Sequence, residues 1–238
     1  MRSTLLLLVG LCLVGCNRRD PSLPTTGTVS FVGQHESFRT RHEEFLAEGR
    51  SKKFDVVCLG DSLTWGWDDH RELWKQAVTP KPTAFWAIGG DATNQLLWRI
   101  EHGELDGQSP QLIILLIGTN NPWVKYEAED VAQSIDVVVQ KVQAKCPTSK
   151  LLLLGLFPQG YERLDKNRVL FDKVNHRLPA VATSRGVEYR NPGKALLEPD
   201  GTLSTTISYD GTHLTELGYR RFAEALGPIV RELLKEGS

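Results

Sequence analysis

Ser62, His213 and Asp210 are the residues of this chain whose types and neighbours suit shared chemistry. Ser62 stands in Gly60-Asp61-Ser62-Leu63, directly after the apolar run Phe54–Leu59, where a hydroxyl can reach an open cleft. Acyl transfer needs a nucleophile, a base to take its proton and donors for the oxyanion. Of six histidines, His213 has the surroundings that suit a base, because Asp210-Gly211-Thr212-His213 precedes Leu214 and a helical apolar pattern. The three-residue step lets the Asp210 carboxylate fold back and hold the Nδ1 proton, leaving Nε2 free. The oxyanion would then be met by the Ser62 N–H, the Gly90 N–H and the Asn120 side-chain amide. Glycine at position 90 lets the backbone approach closely, and Asn120 donates without carrying a charge.

These residues must be brought together by elements far apart in the chain. Short apolar runs occur at Phe54–Leu59, Ala84–Ile88, Leu112–Ile117 and Leu151–Leu156, with a weaker fifth at Val187–Tyr189. The third and fourth are continuous rather than alternating, which suits strands covered on both faces of a parallel sheet. Between and after the runs, Val131, Ile135, Val138, Val139 and Val142 repeat at helical steps, as do Phe222, Ala225, Leu226 and Val230. The alternation predicts one α/β domain: a central, mainly parallel five-stranded sheet with helices on both faces. Three runs lead at once into small polar clusters, Gly60–Leu63, Gly89-Gly90-Asp91 and Gly118–Asn121. In a parallel sheet all three clusters land on one edge, beyond the carboxyl ends of the strands, where ligands sit.

Together these clusters resemble the SGNH, or GDSL, hydrolase family. Gly60-Asp61-Ser62-Leu63 is similar to its first block, Gly90 to its second, Gly118-Thr119-Asn120 to its third and Asp210-Gly211-Thr212-His213 to its fifth. Within the family, the branch of the platelet-activating-factor acetylhydrolase catalytic subunits is the most similar. Ile88-Gly89-Gly90-Asp91, Leu97-Trp98-Arg99-Ile100 with Gly103-Glu104-Leu105, and Leu154–Gly160 carry that likeness. The resemblance spans about Phe54 to Leu226. It implies a three-layer, flavodoxin-like α/β/α sandwich and hydrolysis of esters through an acyl-enzyme, without metal or cofactor. It assigns Ser62 as nucleophile, His213 as base, Asp210 as its orienting acid, and Gly90 and Asn120 as oxyanion donors.

The amino terminus departs from that branch, whose eukaryotic members are not lipoproteins. Met1-Arg2 is followed by the apolar run Leu5–Val14, too short to span a membrane and of the length of a signal-peptide core. Leu13-Val14-Gly15-Cys16 resembles the lipobox of bacterial lipoproteins, which implies cleavage before Cys16 and its lipidation; an ordinary signal peptide is the alternative. The expected organisation is a signal over 1–15, a tether over 16–30 and the hydrolase domain over 31–238. An exported, lipid-anchored chain at the cell envelope turns the expected substrate from a phospholipid toward acetylated carbohydrates or other short acyl esters. A lysophospholipase or thioesterase of the same fold is one alternative, and a non-catalytic carbohydrate-binding lipoprotein is another.

Composition narrows the remaining classes. The chain has 238 residues, with 28 Lys and Arg against 29 Asp and Glu, a net charge of −1. No basic excess exists to engage nucleic-acid phosphates. Membrane attachment would therefore rest on lipid at Cys16. Of four cysteines, Cys58 lies in an apolar run and suits a buried thiol; a Cys58–Cys146 disulfide stays open. Asp61 is expected to stabilise the turn beside Ser62. Asp68-Asp69-His70 is expected to be a solvated turn rather than a metal site, and His35, His42, His102 and His176 surface positions. Trp86 and Trp98 suit the core, whereas Trp65, Trp67 and Trp123, close behind the polar clusters, are candidates to line the substrate site. Gly-x-Ser-x-Gly is absent, which argues against the nucleophile elbow of α/β-hydrolases.

Overall fold

The computed structural model describes residues 36–121 and 127–235. Five strands build one sheet: β1 (Val56–Gly60), β2 (Thr83–Ala87), β3 (Leu112–Leu116), β4 (Lys150–Leu154) and β5 (Glu188–Arg190). Their order is β2-β1-β3-β4-β5, and every pair is parallel. Each expected apolar run supplies one strand, shifted by a residue or two at its ends. β1 and β3 are buried at every position, which is why their sequences run apolar without alternation. β5 is short and only half-buried at the sheet edge.

Helices cover both faces and complete three layers, as expected. On one face lie α1 (Glu36–Ser51), α4 (Thr93–Glu101), α5 (Ala128–Lys145) and α6 (Lys166–Arg185). Phe45, Leu96, Ile100, Val138 and Phe171 of these helices pack there against Val57, Leu59, Ile113 and Leu115 of the sheet. On the other face lie α2 (Ser62–Trp65), α3 (Arg71–Leu73) and α7 (Glu216–Lys235). Their partners are the alternate strand residues Val56, Cys58, Ile114 and Leu152. In α5 all five of the periodic residues from Val131 to Val142 are buried. Its acidic first turn and terminal Lys145 complement the helix dipole.

Two expectations need correction. Trp67 does not line a site: it is 2% exposed, inside an aromatic cluster with Trp74, Phe85, Tyr219 and Phe222. The chain leaves α2 through a tight helical turn, Gly66–His70, which turns Trp67 inward while Trp65 stays out. His42 is not a surface residue either, but 4% exposed. It falls between Phe38 and Phe45 on the buried stripe of α1, so helical period outweighs its charged sequence neighbours. Trp86 is in the core, and Trp98 is half-buried, stacked on the exposed His102. Asp68 pairs with Arg41 and Arg71 in its turn. Cys58 and Cys146 are free, buried thiols on opposite faces of the sheet. Cys16, His35, Trp123, the signal and the tether lie outside the described residues.

Candidate active site

The carboxyl ends of β1, β2 and β3 share one edge, and the turns leaving them carry the polar clusters. After Gly60, Asp61 caps α2, its Oδ1 accepting the Leu63 N–H at 3.0 Å. Ser62 is thereby the first residue of α2, where its own N–H has no acceptor within the helix. Tyr219 of α7 donates its hydroxyl to the Leu63 carbonyl at 3.0 Å and holds the short helix down.

Ser62 Oγ stands 2.9 Å from His213 Nε2, and His213 Nδ1 stands 2.7 Å from Asp210 Oδ2. An ionised carboxylate only accepts, so this geometry puts the neutral imidazole proton on Nδ1 and leaves Nε2 to accept from the serine. Asp210 Oδ1 also accepts the backbone N–H groups of Thr212 and His213, at 2.9 and 2.7 Å. Burial would raise the Asp210 carboxyl, but the bonds from His213 and Thr212 outweigh it and hold it below the ordinary value. The turn itself is fixed from outside. Gln159 donates to the Thr212 hydroxyl at 2.8 Å, Gly160 N–H donates to the Gly211 carbonyl, and Ser208 bridges Leu214. Ser62, His213 and Asp210 are thus brought together as the sequence led one to expect. Such a relay can pass a serine proton to an imidazole.

The remaining two expected residues lie beside it. Gly90 has φ +84°, a conformation side chains rarely adopt, and is solvent-exposed. At Gly89 a Cβ would meet the Trp65 ring at 3.1 Å and Ser62 Cβ at 3.9 Å, so this strand end presses against the serine turn. Asn120 Nδ2 donates to the Asp91 carbonyl at 2.9 Å, which orients the amide and leaves a second N–H on the same nitrogen. Asn121, fully buried, accepts from the Thr93 N–H and donates to the Thr93 hydroxyl, tying the third turn to the start of α4.

Beneath the turns lies an ion cluster whose role the sequence reading did not foresee. Arg99 is 0% exposed. Its Nε donates to Asp91 Oδ2 at 2.9 Å, its Nη1 donates to both oxygens of Glu104, and its Nη2 donates to the Gly60 carbonyl at 3.2 Å. His42 Nδ1 stands 3.6 Å from Glu104 Oε2. One guanidinium therefore joins the residue before the serine turn to the residue after Gly90. Burial pushes the Asp91 carboxyl up, against the pull of Arg99. Burial would lower Arg99, but Glu104 and Asp91 outweigh it, so the guanidinium stays charged. A signal was present: Arg99 follows Leu96 at a helical step, a charge on the stripe that also carries Ile100.

Trp65 is 48% exposed and walls a cavity of about 410 Å³ that runs along Gly89 and Gly90, closed by Phe38, Ile88, Arg41 and Gln95. A larger cavity of about 760 Å³, between Glu162–Leu164 and Leu197–Gly201, contains none of the groups above. Tyr209, not singled out in the sequence, stacks on the His213 ring.

Two measurements test the buried charges. Arg99→Met strands two buried carboxylates and is expected to cost about 3–5 kcal/mol, read as a lower urea midpoint. Asp61 is pushed from its ordinary 3.8 to about 6, chiefly by burial, against the Leu63 N–H and Thr119. A raised acid binds its proton more tightly in the native state, so stability falls as pH rises through that window. Asp61→Asn keeps an acceptor for Leu63 and is expected to gain on the wild type, by up to about 3 kcal/mol between pH of about 4 and 7. Denaturation midpoints at the two pH values check this; parallel curves would refute it.

Comparison with known proteins agrees with the geometry. Residues 58–221 match the GDSL-like lipase/acylhydrolase family model. The chain is 31% identical over 202 residues to human platelet-activating factor acetylhydrolase IB subunit alpha2, covering 84% of this chain and 86% of the relative. To the human alpha1 subunit it is 32% identical over 198 residues, covering 82% and 83%. The crystal structure of a GDSL-like lipase from Bacteroides thetaiotaomicron has the same fold, with TM-score 0.65 at 19% identity over 80% of this chain and 97% of that one. The chain belongs to the GDSL-like lipase/acylhydrolase family.

Proposed function

We propose that this acylhydrolase is a serine esterase acting on short-chain esters, chiefly acetyl esters, through an acyl-enzyme. The observation that carries the reading is the Ser62–His213–Asp210 relay, at 2.9 and 2.7 Å, set beside Gly90 and Asn120. Ser62 Oγ attacks the ester carbonyl while His213 Nε2 takes its proton. The tetrahedral oxyanion is met by the Ser62 N–H, the Gly90 N–H and the free N–H of Asn120. His213 then gives the proton to the departing alkoxide as its C–O bond breaks. Water, deprotonated by the same nitrogen, releases the acid and returns the serine. Asp210 keeps the imidazole in register and stabilises its cationic form. The preference for acetyl rests on the relatives named as acetylhydrolases.

A second reading, hydrolysis of longer acyl chains as in a lysophospholipase or thioesterase, is favoured by the cavity of about 410 Å³ beside Gly89 and Gly90. The proposal also places the mature chain at a bacterial cell envelope, anchored by lipid on Cys16. The Leu5–Val14 run and Gly15-Cys16 support that location, and it directs the expected substrate toward acetylated carbohydrates.

Ser62→Ala is expected to abolish hydrolysis of p-nitrophenyl acetate and labelling by a fluorophosphonate while the circular dichroism spectrum is retained; residual turnover would refute the assignment. In a series from acetyl to dodecanoyl esters, kcat/KM is expected to fall with length, and a rise would favour the second reading. Asn120→Ala is expected to lower kcat by roughly 10²–10³-fold with KM little changed. A loss confined to KM would make Asn120 a binding residue instead.

A further inference from the structure

Tyr209 is 64% exposed and takes no part in the proton relay. Among the described residues the exposed large apolar side chains are Trp65, Leu164, Tyr209 and Leu217, and two of these four flank the Ser62–His213 pair. Trp65 lies against Gly89, on the oxyanion side. Tyr209 lies against His213, its ring 5.8 Å from the imidazole centroid and within 15° of parallel.

The position of Tyr209 is built. Its N–H donates to the His213 carbonyl at 3.2 Å, and Ser208 before it bridges Leu214. The turn Asp210-Gly211-Thr212 therefore closes between Tyr209 and His213 and sets the two rings side by side. Ile207 and Ser208, both 0% exposed, anchor the turn segment that leads into it. A phenol ring, with two side-chain torsions to fix, offers a flat apolar face there at low cost in side-chain entropy.

Proton transfer fixes which part of a substrate meets that face. This step rests on the esterase reading given above. The leaving oxygen must come within hydrogen-bond reach of His213 Nε2, at about 2.7–2.9 Å, to take its proton. The carbonyl oxygen is turned instead to Gly90 and Asn120. The alcohol portion thus leaves past the imidazole, against which the Tyr209 ring is stacked. We propose that Tyr209 is a specificity-determining residue, a platform for the alcohol portion of the ester, and that this portion carries a ring with a flat apolar face. Aryl alcohols and pyranose sugars both meet that description, the latter through the C–H bonds of one ring face.

The test compares 2-naphthyl acetate, an acetylated methyl xyloside and ethyl acetate, with the wild type, Tyr209→Ala and Tyr209→Phe. Because the side chain is exposed, neither variant is expected to lose the fold, which thermal melting checks. In Tyr209→Ala the ratio of kcat/KM on a ring-bearing acetate to that on ethyl acetate is expected to fall roughly three- to tenfold, through KM. Tyr209→Phe is expected to restore it. A fall for naphthyl acetate alone assigns an aryl alcohol, and a fall for the xyloside alone assigns a sugar. An equal loss on all three acetates, or a displaced pH–rate profile, would mean that the ring only shields or steadies His213 and would overturn the platform. Wild-type protein inert toward all three would overturn the esterase reading and the platform with it.

Discussion

A charge with no access to water sits under the reacting edge of this sheet, and the arrangement above it depends on that charge staying paired. Arg99 spends its guanidinium on Asp91, Glu104 and the carbonyl of Gly60. Desolvating such a group costs several kcal/mol per ion, and its partners return that only when the geometry satisfies nearly every donor. Replacing the cluster with apolar residues of like volume would cost the fold little. What an apolar cluster lacks is directionality. The planar fork fixes Asp91 relative to Gly60 by hydrogen bonds, so the turn after β2 and the turn after β1 cannot slide past each other. Asp91 in turn offers its carbonyl to Asn120. Position is therefore passed from β1 through Arg99 to both expected oxyanion donors.

The parallel sheet explains why so few residues suffice. Because β1, β2 and β3 all point one way, three consecutive turns open on a single edge without any long excursion. The fourth component comes from the far end of the chain. Asp210 and His213 arrive on a turn that no strand delivers, and here cross-links replace topology. Gln159 and Gly160, just after β4, grip Thr212 and Gly211, while Tyr219 of α7 reaches back to Leu63. A 2.9 Å contact between residues 151 positions apart is held by neighbours that have no reacting group of their own.

Much of this was legible in the sequence, for identifiable reasons. Strands covered on both faces lose their polar positions, so the runs of β3 and β4 appeared as unbroken apolar sequence, and the polar clusters behind β1, β2 and β3 marked the edge. Ser62, Asp210 and His213 could be paired because a three-residue step restricts where a side chain can fold back. Gly90 and Asn120 followed from the same edge argument. Trp67 and His42 were misplaced because neighbouring residue types said less than local backbone direction: a tight turn inverted one and helical period buried the other. Arg99 and Glu104 were visible as residues but not as a pair, since a buried ion cluster has no period of its own. Tyr209 was hidden by its neighbour, its value arising only from a turn that brings its ring beside His213.

Two aspartates compete for the role of orienting acid, and the environment decides between them. Asp61 adjoins Ser62, is wholly buried and lies close enough to His213 to feel its charge. Its Oδ1 accepts the Leu63 N–H, but that bond and the pull of Thr119 do not offset its burial. Burial without enough donors raises its carboxyl to about 6, the opposite of what stabilising an imidazolium requires. Asp210 is more exposed and accepts three N–H bonds, which hold it ionised below its ordinary range. An acid that is already charged before the reaction starts can stabilise a cation as it forms. An acid that must first lose a buried proton cannot do so without cost. The same difference explains why Asp61 suits a cap: its single well-aimed oxygen fixes the first turn of α2, and with it the direction in which Ser62 faces His213.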